Sequence, residues 1–178
     1  MRSIVSTFCA IFGIGCSPFV DRTVMGVPNL TQVAPRLWRM GQPADAAAWA
    51  YLKTQLGDGP VTVVKLNDYV EGVDTPPQGW TLLKAPIPPE DDKPWTVLVK
   101  PDPVAMQSIV NAIVDAYRRG DTVVWHCSHG RDRTSLVSVL VQMRLFGMSK
   151  RAAWDDMLAH GFRWELPDLD LYWIDDVK

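Results

Sequence analysis

The strongest chemical pattern in the chain is the unbroken run His126-Cys127-Ser128-His129-Gly130-Arg131-Asp132-Arg133-Thr134-Ser135. The β-branched and apolar residues Thr122 to His126 just before it predict a central strand, and the largely apolar stretch from Thr134 to Phe146 predicts a buried helix just after it. A chain that passes from strand to helix through a tight loop turns several backbone N–H groups inward at the positive end of the helix dipole. Such a cradle binds a tetrahedral dianion. Gly130 permits a positive φ in the middle of the loop. Arg133, six residues after Cys127, can hold two phosphate oxygens at once. The same positive field favours the thiolate of Cys127, which is the nucleophilic form. A buried, inert cysteine beside two surface arginines is the alternative, and it leaves the order of residues in the run unexplained.

This segment resembles the His-Cys-x5-Arg-[Ser/Thr] motif of the protein tyrosine phosphatase superfamily, and the order of strands and helices from Arg36 onward is similar to its minimal, dual-specificity-like domain. The resemblance implies a two-step reaction. Cys127 attacks phosphorus to give a phosphocysteine, Arg133 and the loop amides at Ser128, His129, Gly130, Arg131 and Asp132 hold the transferring group, and water then releases it. Thr134 would bond to the thiolate and help it leave, and neither a metal nor another cofactor is implied. The family also uses an Asp on an upstream loop as general acid. Asp91, in Pro88-Pro89-Glu90-Asp91-Asp92-Lys93-Pro94 and 36 residues before Cys127, is the choice here, with Asp92 its competitor. Asp132 is a third acid, expected to order the loop by accepting backbone N–H bonds.

Cations around the loop separate substrate classes, because an inositol ring carrying several phosphates brings charge that a phosphotyrosine lacks. His129 and Arg131 on the rim, with Lys93 beside the acid loop and Lys65 and Lys84 as further contributors, favour an inositol polyphosphate, as in the bacterial phosphatase-fold phytases that the chain also resembles. A dual-specificity or tyrosine protein phosphatase, or a phosphoinositide phosphatase, is the alternative, with a phosphopeptide or lipid headgroup as the partner. Arsenate reductases also use a cysteine in an anion loop, but they need further resolving cysteines. A silent phosphate-binding module would not need Cys127, Arg133, Thr134 and an upstream acid together.

The elements that must position this loop are legible from periodicity. Strands are expected at Arg36–Met40, Val61–Leu66, Trp80–Ile87 and Thr122–His126, and helices from Pro43 or Ala44 to Leu56, from Asp102 or Pro103 to Arg119, over Thr134–Phe146, from Ser149 to about His160 and over Asp168–Val177. Strands alternating with helices predict an α/β fold, a mostly parallel sheet covered by helices on both faces. Residues 17–35, rich in Pro, Gly, Asn and Thr, are expected as a lead-in without helical periodicity, and residues 36–178 as the catalytic domain.

With 178 residues, 47% hydrophobic and 21% charged, the chain suits one globular domain. Eighteen Lys and Arg against twenty Asp and Glu give a net charge of -2, which argues against a nucleic-acid partner. Three cysteines, Cys9, Cys16 and Cys127, cannot build a disulfide scaffold or a four-thiolate zinc site. The N-terminus has one early cation, Arg2, and then no charge until Asp21. Residues 1–16 therefore read as a secretory signal, and Gly15-Cys16 is similar to the cleavage site of bacterial lipoproteins, although Gly13 stands where that motif has Leu. Export to the cell envelope or periplasm, with membrane attachment through a lipid on Cys16, is expected over a cytoplasmic location, and the protein is expected to be a monomer.

Overall fold

The computed structural model describes residues 19–67, 75–87, 100–163 and 167–177. The candidate signal and lipidation segment 1–16 and the loop that carries Asp91, Asp92 and Lys93 lie outside these residues.

Seven strands and five helices occur among the described residues. A short antiparallel hairpin, β1 (Thr23–Val24) with β2 (Val27–Pro28), precedes β3 (Thr31–Ala34) and β4 (Leu37–Gly41). Then follow α1 (Ala46–Leu56), β5 (Val61–Lys65), β6 (Thr81–Lys84), α2 (Pro103–Arg119), β7 (Thr122–Cys127), α3 (Asp132–Phe146), α4 (Lys150–Ala159) and α5 (Pro167–Asp176). The main sheet has the order β3-β4-β7-β5-β6. Its β4–β7, β7–β5 and β5–β6 pairs are parallel and only β3–β4 is antiparallel.

The sheet separates two apolar layers. On one face α1 places Trp49 and Leu52 against Met40, Val61, Val63 and Val124. On the other, α2 and α3 bring Met106, Ile113, Leu136 and Val137 onto Leu37, Val64, Val123 and Trp125. Each such side chain fully buried contributes roughly 1.5–3 kcal/mol. All six residues of β7 are buried, so the strand that delivers Cys127 is held between its neighbours and under a helix on each face.

Helix boundaries follow capping chemistry. The Asp45 carboxylate accepts from Ala48 N at 2.8 Å, so α1 starts at Ala46 rather than at Pro43 or Ala44. Asp102 and Ser149 cap α2 and α4. The strand expected over Trp80–Ile87 is regular only at Thr81–Lys84, although Ala85 and Ile87 still donate to the carbonyls of Lys65 and Leu66. The lead-in reading of residues 17–35 needs correcting at its end. β3 pairs with β4 through Thr31–Arg39 and Gln32–Trp38, so the sheet begins before Arg36. A four-residue edge strand with one exposed and three half-buried residues carries no period that sequence could reveal. No helix among the described residues is long and apolar enough to cross a membrane.

Candidate active site

β7 ends at Cys127 and α3 begins at Asp132, so the loop between them is short. The thiol of Cys127 is buried, and Thr134 Oγ1 in the first turn of α3 lies 3.0 Å from its Sγ, in position to donate. While α1, α2 and α4 each have a side-chain cap, α3 has none at Arg131. Its start is the positive end of a helix dipole, a place that favours an anion. Arg133, 7% exposed, belongs to the same turn, and His129 is exposed on the loop.

Two glycines set the height of the loop above the sheet. Gly130 has φ +72°, and a Cβ on it would also strike the backbone of Met40 and Gly41. A Cβ on Gly41 would lie 2.9 Å from the carbonyl carbon of His129 and 2.8 Å from Pro28. The end of β4 and the loop therefore touch backbone to backbone, and neither residue can be replaced without moving the other.

Groups distant in sequence hold the loop from outside. Gln42 N donates to Ser128 O at 3.1 Å, Asn67 Nδ2 to Ser128 Oγ at 3.3 Å, and Asn29 Nδ2 to His129 O at 2.9 Å. Asn29 has φ +50°, a conformation that asparagine tolerates better than most residues, and its Oδ1 accepts from Arg22 N. Arg39 is 1% exposed; its Nη2 donates to Gly130 O at 2.8 Å and Ser135 Oγ at 2.7 Å. Burial lowers the Arg39 pKa to about 10, against the opposing charges of Asp156 and Cys127, so the guanidinium is still charged at neutral pH. Sequence reasoning missed Arg39, Asn29 and Asn67. The available signal was an arginine at an inward position of an otherwise apolar strand, Leu37-Trp38-Arg39-Met40.

Two expected roles change. Asp132 does not order its own loop; its carboxylate accepts from the backbone N of Arg163 at 2.9 Å and from Arg163 Nε and Nη2 at 3.0 and 2.6 Å. A carboxylate matches the guanidinium fork better than it matches the amides of a loop that folds around an anion. Arg131 is likewise occupied. Its Nε donates to Gly161 O at 3.2 Å, its Nη1 pairs with Asp21 at 3.1 Å, and its guanidinium carbon stands 5.4 Å from the centre of the Phe19 ring. Lys65 is buried within β5 and Lys84 is exposed at the end of the edge strand β6, so Lys65 presents no charge at the surface.

The structure thus joins Cys127, Thr134 and Arg133 at an uncapped helix start, a constellation able to bind and attack a phosphate ester. A family model described as the tyrosine phosphatase family matches residues 95–161. TpbA of P. aeruginosa has a similar crystal structure, with a TM-score of 0.61 and 25% identity over 89% of this chain and 91% of that one. Residues 95–161 of this chain thus match the tyrosine phosphatase family, and the fold is similar to that of a bacterial phosphatase structure. Its fold is also that of human DUSP28 (TM-score 0.57, 21% identity, 88% of this chain and 96% of that one) and of Tk-PTP in its active form (0.59, 21%, 84% and 98%). No curated protein matches the sequence. The match over residues 95–161 and the likeness to TpbA support a phosphoric monoester hydrolase.

Proposed function

We propose that this phosphatase hydrolyses phosphotyrosyl and related phosphoprotein esters through a phosphocysteine on Cys127. The observation that carries the mechanism is the 3.0 Å contact of Thr134 Oγ1 with Cys127 Sγ at a helix start that no side chain caps. Cys127 Sγ bonds to phosphorus as the ester P–O bond breaks, and the leaving oxygen takes a proton from Asp91. Arg133 and the loop N–H groups meet the charge on the three transferring oxygens. Water then attacks phosphorus and gives its proton to Asp91, and the P–S bond breaks toward a thiolate that Thr134 stabilises. Asp91 is assigned from the motif, and Asp92 is its competitor.

The substrate class is argued from Arg131. With His129 it is one of the two rim cations that favour inositol polyphosphates, and in the structure that guanidinium is committed to Asp21, Gly161 and Phe19. TpbA, the similar bacterial protein, has been solved as a cysteine-to-serine variant in complex with phosphotyrosine. Exposed His129 favours the inositol polyphosphate reading as the second one. Comparing kcat/KM for phosphotyrosine and phosphoserine peptides, a short-chain phosphoinositide and inositol hexakisphosphate tests the choice. Phosphotyrosine peptides should lead by at least about tenfold, which is 1.4 kcal/mol of transition-state binding. A lead for inositol hexakisphosphate would overturn the substrate class and leave the reaction intact.

A further inference from the structure

Arg39 is the buried charged side chain with the least obvious reason to be where it is. The β4–β7 register sets Arg39 beside Trp125 and Gly41 beside Cys127, and residues two apart on a strand share a face. Arg39, Trp125 and Cys127 therefore project from the same side of the sheet, under the start of α3, where Trp125 Nε1 donates to Ser138 Oγ at 3.0 Å. An apolar side chain would fill this position without the penalty of taking a charge out of water. Among the described residues, the Nε and Nη1 of Arg39 have no hydrogen-bond partner, so the burial is not repaid by a full set of bonds. Its Nη2 bonds go to the loop at Gly130 O and to the first turn of α3 at Ser135 Oγ.

We propose that Arg39 is a positioning residue of the catalytic loop, clamping the Gly130 carbonyl and the Ser135 hydroxyl from beneath so that the loop amides stay turned toward the phosphate. The proposal rests on Cys127 being the nucleophile. The peptide unit between Gly130 and Arg131 is planar and trans, so its carbonyl and its N–H point to opposite sides. With the carbonyl drawn down onto Arg39, the Arg131 N–H is directed away from the sheet. Were that peptide to flip, an oxygen would replace a donor where the anion binds. The close contact of Gly130 with Met40 and Gly41 places this peptide directly above β4, within reach of a side chain rising from Arg39.

The test uses Arg39→Met, which keeps a stem of similar bulk and removes the donors, and Arg39→Lys, which keeps the charge on a single head group. For each, kcat and KM with para-nitrophenyl phosphate, inhibition by inorganic phosphate, and the rate of Cys127 alkylation by iodoacetamide at one fixed pH are measured on folded protein, alongside thermal unfolding. Arg39→Met should lose about 10- to 100-fold in kcat, the cost of a loop misplaced by about 1 Å. It should also bind phosphate several-fold more weakly and alkylate more slowly, and Arg39→Lys should recover part of each loss. A folded Arg39→Met with wild-type kcat, phosphate inhibition and alkylation rate, its effect confined to the melting temperature, would overturn the proposal. If Arg39→Met does not fold, Arg39→Lys decides: intermediate values support the clamp and wild-type values in all three overturn it. Turnover surviving in Cys127→Ser would sink the underlying reading whatever Arg39 does.

Discussion

At the scale of single residues, the proposed nucleophile, its anion loop and its hydroxyl partner lie within eight consecutive positions, Cys127 to Thr134, and the props that hold them come from elsewhere. Cys127, Gly130, Arg133 and Thr134 were legible in the sequence because a continuous motif fixes their mutual geometry. Arg39, 91 residues from its acceptor Gly130, and Arg163, 31 residues from Asp132, were not, because contact across that span is created only by the fold. Arg131 shows the reverse difficulty. Its place in the motif suggested the rim of the site, and the pull of Asp21, Phe19 and Gly161 overrides that position. Arg131→Ala should therefore cost at most about 1 kcal/mol in stability, as a partly exposed ion pair does. It should also lower kcat/KM for a simple aryl phosphate and for inositol hexakisphosphate by the same factor. A loss specific to the polyphosphate, seen by measuring both in parallel, would return Arg131 to the substrate.

At the scale of elements, β7 and α3 place the proposed nucleophile and the proposed anion-binding turn, and α4 braces them from outside. The long helices and the central strands could be read from their apolar period and from caps such as Asp102 and Ser149. β1, β2 and β3 could not, since strands of two to four residues are too short to show a period. In α4, Asp156 is a titrating prop. Burial raises its pKa, but the hydrogen bond and charge of His160, the charge of Arg39 and the hydrogen bond from Gln142 outweigh this, and the net effect is a lowered value. A carboxylate with a lowered folded pKa stabilises the fold fully above its ordinary value of 3.8 and loses that contribution as pH falls through the lower, folded one. Asp156→Asn should thus be less stable than wild type at pH 7 by about 1 kcal/mol, after allowing for solvent screening. Denaturant titrations should show the gap closing below pH 3.8; a gap independent of pH would contradict this role.

At the scale of the whole molecule, a net charge of -2 and an ordinary apolar content describe a globular scaffold and are silent about its chemistry. The α/β class and the parallel sheet were legible because strand and helix patterns alternate, and the superfamily was legible in the motif that the family model and TpbA then support. Substrate choice was less so, because it depends on which cations remain free after folding, and folding ties Arg131 to a segment that sequence treated as a lead-in. The central claim is that catalysis passes through a covalent phosphate on Cys127. Its most direct test is to mix the enzyme with an aryl phosphate labelled in the phosphoryl group, denature it within milliseconds, and locate the label by peptide mass. A phosphate on the peptide containing Cys127 in wild type, and none in Cys127→Ser, is the predicted result. Turnover with no label on Cys127 at any quench time, together with activity surviving in Cys127→Ser, would contradict it.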